Sequence, residues 1–238
     1  MPMAFKGGTA LKRCYDVDYR FSEDLDFSLL EVLTMDDIRK DLKPVFEEVH
    51  RASGITLSLS REESDARSNT HTFYLGYDGP IQRAGTRPEI KVDITIKEHV
   101  SFDIAMRPIL KYDEYSDLPG NARVGVYSLE EISVEKIMAL TAPARNEPRD
   151  LYDLWQLTKT FGVRLRDLRA ALEDKLRFKE RSLLAGNELD AKRDKLDRGW
   201  QTRLSHQVAK LPEFEEVFRT VQRELRQAQL YAPKERRR

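Results

Sequence analysis

Cys14 is the only cysteine in the 238-residue chain. An intrachain disulfide is therefore impossible, and thiolate-based zinc ligation is effectively excluded. No apolar run approaches the roughly 20 residues that a membrane helix needs, and the N-terminus lacks the charged-then-apolar layout of a signal peptide. A cytoplasmic protein without a membrane partner is expected. His50, His71, His99 and His206 have no paired ligand spacing. No Gly-x-Ser-x-Gly, Walker-type or Rossmann glycine pattern occurs, which argues against zinc enzymes, serine hydrolases and the common nucleotide folds. Aromatic residues fall at core-like spacing, so they define no base-stacking surface.

What is present is charge. Asp, Glu, Lys and Arg make up 34% of the chain, and the mean hydropathy is −0.62. The surface is strongly solvated, while Val, Ile, Leu and aromatic residues recur in short periodic groups. The length suits one large domain or two lobes. Net charge is zero, but residues 1–140 hold 18 basic against 25 acidic groups (−7) and residues 141–238 hold 23 against 16 (+7). An acidic half suits metal ions, and a basic half suits a polyanion such as RNA. Uneven charge on solvated helix faces would give the same counts.

The chain begins with a short strand-like lead-in running into Gly7 and Gly8. Thr9 to Tyr15 contains good helix formers, with the Thr9 hydroxyl at the expected N-cap. Asp24 to Leu30 alternates polar and apolar residues, the period of a half-buried strand that puts Asp24, Asp26 and Ser28 on one face. A helix is predicted over Val32 to Ala52, closed by Gly54. Strands are predicted at Ile55 to Ser60, Thr70 to Tyr77 and Glu89 to Lys97, separated by turns at Asp78 to Pro80 and at Gly85. Weaker strand signals cover Phe102 to Leu110, where Pro108 requires an edge or bend, and Arg123 to Tyr127. Ser128-Leu-Glu-Glu131 has the form of a capping box opening a helix through Leu140. Amphipathic helices are then predicted over Asp150 to Phe161, Leu165 to Arg181, Trp200 to Leu211 and Glu213 to Leu230, with a frayed tail from Lys234 to Arg238. The fold class is α+β: a mixed-sheet lobe over residues 1–127, then a helical lobe over 128–238.

Chemistry concentrates in few places. A glycine pair before a helix allows close backbone approach to a phosphate, although Gly-Gly-Thr also suits an ordinary turn. Asp24 and Asp26, two apart on a strand, lie about 7 Å apart at their α-carbons. Such a pair attracts a cation such as Mg²⁺, or is simply solvated at an edge. Asp93 is a third carboxylate, suited to a base or a metal ligand, and also to a surface pair with Lys91. Lys136 offers a point charge for a triphosphate, and Asp150 and Asp153 are spaced to share one helix face.

Taken together, these segments resemble the AbiEii nucleotidyltransferase toxin family, the toxin half of abortive-infection toxin–antitoxin pairs. The resemblance rests on Lys6-Gly-Gly-Thr-Ala-Leu11 followed by Arg20-Phe-Ser-Glu-Asp-Leu-Asp-Phe27, on Lys91-Val-Asp93, on Glu135-Lys136, and on Arg149-Asp-Leu-Tyr-Asp153. It implies a polymerase-beta-like fold in which Lys6, Gly7, Gly8, Thr9 and Lys91 contact an NTP. It also implies Mg²⁺ at Asp24, Asp26 and Asp93, with Lys136 and Asp150 or Asp153 completing the nucleotide pocket. The implied activity is transfer of NMP from an NTP to RNA, tRNA above all, with a DNA-binding antitoxin as cognate partner. Transfer to a protein or small-molecule hydroxyl, or a non-catalytic GTP- or antitoxin-binding role, are the alternatives. Family members usually carry helices ahead of the glycine pair, whereas six residues precede Gly7 here.

Overall fold

A computed structural model describes residues 1–65, 69–79, 88–114, 120–181 and 188–230. The turn predicted at Gly85, the end of that at Pro80, and the tail from Lys234 lie outside these. The chain divides into two compact units: residues 1–98 with 104–127, and residues 99–103 with 128–238.

Among the described residues the first unit has seven strands: β1 (Met3–Lys6), β2 (Leu25–Leu29), β3 (Thr56–Asp65), β4 (Thr70–Asp78), β5 (Glu89–Thr95), β6 (Ala105–Pro108) and β7 (Arg123–Val126). Their order is β3-β4-β5-β2-β1-β7-β6. The sheet is mixed: β2 runs parallel to β5 and antiparallel to β1, which is parallel to β7. Pro108 thus falls on an edge strand, where its missing N–H costs no ladder bond.

Helix α1 (Gly7–Ala10) follows β1 directly and passes into a π-helical turn at Leu11–Tyr15. Its N-cap is Lys6, not the predicted Thr9, because the chain turns helical already at Gly7. Helix α2 (Met35–Ser53) starts with a full capping box between Thr34 and Asp37 and ends on Gly54 at φ +71°, a left-handed cap that glycine adopts without penalty. The apolar face of the sheet is covered by both helices. Ile38 of α2 packs with Leu29, Phe73, Leu75, Val92 and Ile94, while Ala10 and Cys14 pack with Phe5 and Val126. Burial pushes the Cys14 thiol up to about 11, partly offset by Arg107, so Cys14 is an inert core residue.

The second unit contains α3 (Leu129–Leu140), α4 (Pro148–Lys159), a 3₁₀ turn at Leu165–Leu168, α5 (Arg169–Phe178), α6 (Glu188–Leu204) and α7 (Phe214–Gln227). Pro148 opens α4 rather than only breaking what precedes it, since its missing N–H is an orphan at the first helical position anyway. Of the helix predicted over Trp200 to Leu211, only Trp200 to Leu204 is helical, as the end of α6, and residues 205–211 lie outside any helix. Trp200 anchors α6, fully buried against Tyr152 and Phe214 and donating Nε1–H to the Pro212 carbonyl at 2.9 Å.

The capping box predicted at Ser128 is half formed. Ser128 accepts from the Glu131 N–H, but the Glu131 carboxylate serves elsewhere: Oε2 accepts from the N–H groups of Ser101 and Phe102, and Oε1 lies 2.6 Å from Lys175 Nζ. Glu131 and Lys175 are both fully buried. Lys175→Met would strand the Glu131 charge, so it is expected to cost about 3–5 kcal/mol in urea unfolding. A loss within 1 kcal/mol, roughly that of a surface pair, would show that Glu131 is not held by this pair.

Candidate active site

The sheet register assembles a polar row. Asp26 of β2 stands opposite Lys6 of β1 and Asp93 of β5, and Asp93 stands opposite Thr72 of β4. Adjacent strands are about 4.8 Å apart. Two carboxylates therefore meet at one strand spacing, on the face opposite the helices, with Asp24 just before β2.

Their neighbours explain how this is tolerated. Lys91 Nζ lies 2.6 Å from Asp93 Oδ2, and Thr72 donates its hydroxyl to Asp93 Oδ1 at 2.6 Å. Burial by itself would lower the Lys91 pKa, but the Asp93 hydrogen bond and the charges of Asp93, Asp24 and Asp26 hold it above the usual lysine value. Lys91 thus pairs with Asp93 and is further favoured as an ammonium by the charges of Asp24 and Asp26. Lys6 Nζ donates to Thr95 Oγ1 at 3.0 Å and lies 5.7 Å from the centre of the Tyr127 ring.

The glycines are required by close approach. Gly7 has φ +75°, and a Cβ there would overlap the Asp26 carboxylate. A Cβ on Gly8 would lie 2.7 Å from Arg20 Nη2 and 3.0 Å from Ser22 Oγ. Arg20 is only 4% exposed, so a buried guanidinium and a hydroxyl stand over the turn. Both lie inside the motif read from the sequence, yet neither was singled out there. The available signal was an arginine set between two aromatic residues, Tyr19, which is buried, and Phe21, which is exposed. Thr9 donates its hydroxyl to the Asp24 carbonyl at 2.5 Å, which ties the start of α1 to the first carboxylate and commits that proton to the backbone.

In the helical unit, Asp150 and Asp153 of α4 share one face, as their spacing predicts. Both are buried, and Lys136 Nζ of α3 lies 3.1 Å from Asp150 Oδ1 and 2.6 Å from Asp153 Oδ2. Arg145 adds a two-pronged contact on Asp150, Nε to Oδ2 at 2.5 Å and Nη2 to Oδ1 at 3.3 Å. Burial by itself would push the Asp150 carboxyl up, but Lys136 and Arg145 together bring it below the usual carboxylate range. Arg145 is a residue that sequence reasoning missed, because nothing in a loop sequence marks which carboxylate an arginine will reach.

Among the described residues, no group of three or more His, Cys, Asp or Glu side chains has metal-holding geometry. The Asp93 oxygens accept from Lys91 and Thr72. Asp24 and Asp26 add a pair of carboxylates, an all-oxygen donor set, beside Asp93. That fits Mg²⁺, which takes one or two carboxylates and completes its shell with water and substrate phosphates.

The family model described as nucleotidyl transferase AbiEii toxin, type IV toxin–antitoxin system, matches residues 1–221. The chain belongs to this AbiEii family. It is accordingly a nucleotidyltransferase toxin of a toxin–antitoxin system. Among solved structures it is similar to MenT4, a nucleotidyltransferase toxin from Mycobacterium tuberculosis H37Rv, at TM-score 0.64 and 18% identity over 96% of this chain and 80% of that one. It is also similar to JHP933 from Helicobacter pylori, at TM-score 0.56 and 20% identity over 96% and 84%. At these identities the likeness is one of fold, and it agrees with the α+β reading. No curated protein sequence is significantly similar to the chain.

Two outcomes follow for this AbiEii protein. Gly7→Ala introduces a Cβ into the Asp26 carboxylate at a left-handed backbone position and is expected to cost about 1–3 kcal/mol together with most of the transfer activity. Wild-type turnover in a purified Gly7→Ala protein would show that the Asp26 position is not critical. Asp150 titrates below its unfolded value, so its stabilisation is complete above about pH 4 and lost as pH falls through the folded value. Asp150→Asn should therefore lower the melting temperature at pH 7, and that gap should close below about pH 4. A gap independent of pH would contradict the charge assignment.

Proposed function

We propose that this toxin is a Mg²⁺-dependent enzyme that transfers NMP from an NTP to a hydroxyl of RNA, with tRNA the favoured acceptor, and releases pyrophosphate. The observation that carries the reading is the Asp26 carboxylate seated against Gly7, which joins the acidic strand to the glycine turn in one constellation. In such a transfer the acceptor oxygen attacks the α-phosphorus, the bond from that phosphorus to the bridging oxygen breaks, and pyrophosphate leaves with the electron pair. The hydroxyl proton needs an acceptor, and a carboxylate is the available type.

The residues divide this work. Gly7 and Gly8 let the phosphates approach the backbone, with Lys6, Arg20 and Ser22 as cation and hydroxyl donors beside the turn, while Thr9 fixes Asp24. Asp24 and Asp26 would hold the metal. When bound, Mg²⁺ supplies charge neutralisation at the phosphates. Asp93 is oriented by Thr72 and Lys91 to serve as proton acceptor or as a further ligand, and Lys91 as a phosphate contact. In the helical unit, Lys136 supplies a positive charge to the nucleotide, with Asp150 and Asp153 holding it in place. The surplus of basic residues in 141–238 supports an RNA acceptor. Membership of a toxin–antitoxin family implies an antitoxin, for which we favour a DNA-binding partner. Among the described residues no helix is long and apolar enough to cross a membrane, and we place the toxin's action in the cytoplasm with its RNA.

The test is incubation of the purified protein with each of the four labelled NTPs, Mg²⁺ and total RNA. Label in the tRNA fraction, absent with Asp26→Ala and without Mg²⁺, is expected, along with loss of growth inhibition in cells. Label confined to protein or to small molecules would redirect the acceptor. Unchanged transfer by Asp26→Ala would overturn the mechanism.

A further inference from the structure

In the reading above, Lys136 offers its charge to a nucleotide, yet it lies between two carboxylates, Asp150 at 3.1 Å and Asp153 at 2.6 Å. One ammonium facing two buried carboxylates leaves a negative excess among the three groups, the wrong sign for attracting a triphosphate. Arg145 removes that excess with its two-pronged contact on Asp150, bringing the four groups to a formal charge of zero. The planar guanidinium fork matches a carboxylate in a way that a point charge does not.

Arg145 lies between α3 and α4, outside any helix. Holding a long side chain in one geometry costs rotamer entropy, and from such a position the ordering of the backbone adds to that cost unless the backbone is fixed by other contacts. It is fixed from α6. Lys192 Nζ donates to the carbonyls of Leu140 at 2.8 Å, of Ala142, and of Arg145 itself at 2.8 Å. Lys192 is 6% exposed, and these three carbonyls belong to the last residue of α3 and to the connection that follows it. The contacts run from Lys192 through the Arg145 backbone and the Arg145 guanidinium to Asp150, and so to Lys136.

We propose that Arg145 and Lys192 are positioning residues for the nucleotide: Arg145 cancels the excess negative charge at Asp150 so that the cluster around Lys136 does not repel phosphate, and Lys192 holds the segment that presents Arg145. The proposal rests on the reading that Lys136 serves the nucleotide.

The experiment measures KM for the NTP and kcat in the full-length protein, with thermal melts alongside. Arg145→Met is expected to raise KM about tenfold, equivalent to 1.4 kcal/mol, with kcat changed less than KM. Arg145→Lys keeps the charge and should recover most of that loss. Lys192→Met should move KM in the same direction, and the double variant should be no worse than Arg145→Met, because both act through one contact. The Arg145 side chain is 42% exposed, and Lys136 still contacts Asp150 when it is replaced; the melts report whether each variant folds, and Arg145→Met with Arg145→Lys carries the test if Lys192→Met does not fold. An unchanged KM in Arg145→Met, or multiplicative effects in the double variant, would overturn the proposal. Lys136→Met separates the two levels. If it binds NTP normally, the underlying reading fails; if it loses NTP while Arg145→Met does not, the proposal alone fails.

Discussion

Repulsion between carboxylates held one strand apart is the constraint on which the sheet unit depends. Asp26 and Asp93 face each other across β2 and β5, with Asp24 two residues away from Asp26. Two unit charges 5 Å apart at an effective dielectric of 20 repel by about 3 kcal/mol, so the arrangement persists only because cations and donors surround it. Lys91 and Thr72 satisfy Asp93, Lys6 flanks Asp26 in the ladder, and the missing side chain of Gly7 lets Asp26 lie against the turn. The rest of the unit serves this strip. The apolar face carries the core under α1 and α2, which leaves the opposite face to accumulate charge that a core could not hold.

The helical unit handles charge differently, by burying it in pairs. Lys136, Lys175 and Lys192 are each less than a tenth exposed, and each has a distinct set of partners: two aspartates, two glutamates, and a set of backbone carbonyls. Buried ion pairs are weak evidence of net stability. Their worth here is geometric, since each lysine joins segments distant in sequence: α4 to α3 through Lys136, α5 to α3 through Lys175, and α6 to the α3–α4 connection through Lys192.

Much of this was legible in the sequence wherever periodicity and steric demand coincide. The alternation of Asp24 to Leu30 and Glu89 to Lys97 predicts both strands and the faces they share, and Gly54 and Pro108 occupy the cap and edge that their backbone restrictions require. Helix starts are less legible. Thr9 is not an N-cap, because the glycine pair is itself helical, and Glu131 does not complete its box, because two N–H groups and Lys175 compete for it. The apolar pattern predicts a helix over Trp200 to Leu211, but Trp200 and Leu204 lie at the end of α6, and residues 205–211 lie outside any helix. At the candidate site, the residues on β-strands could be placed by register alone. Arg20 and Arg145 could not, since a long side chain leaving a loop reaches partners that only the folded chain defines.

The central claim is that Asp24 and Asp26 form an incomplete cation site that a nucleotide triphosphate completes. Calorimetric titration of Mg²⁺ into the protein, with and without a non-hydrolysable NTP analogue, tests this most directly. The account predicts weak Mg²⁺ binding alone, binding tightened at least tenfold by the analogue through the shared phosphate ligands, and loss of that coupling in Asp24→Asn. Analogue binding of equal strength with Mg²⁺ and with excess chelator, or coupling unchanged in Asp24→Asn, would contradict it.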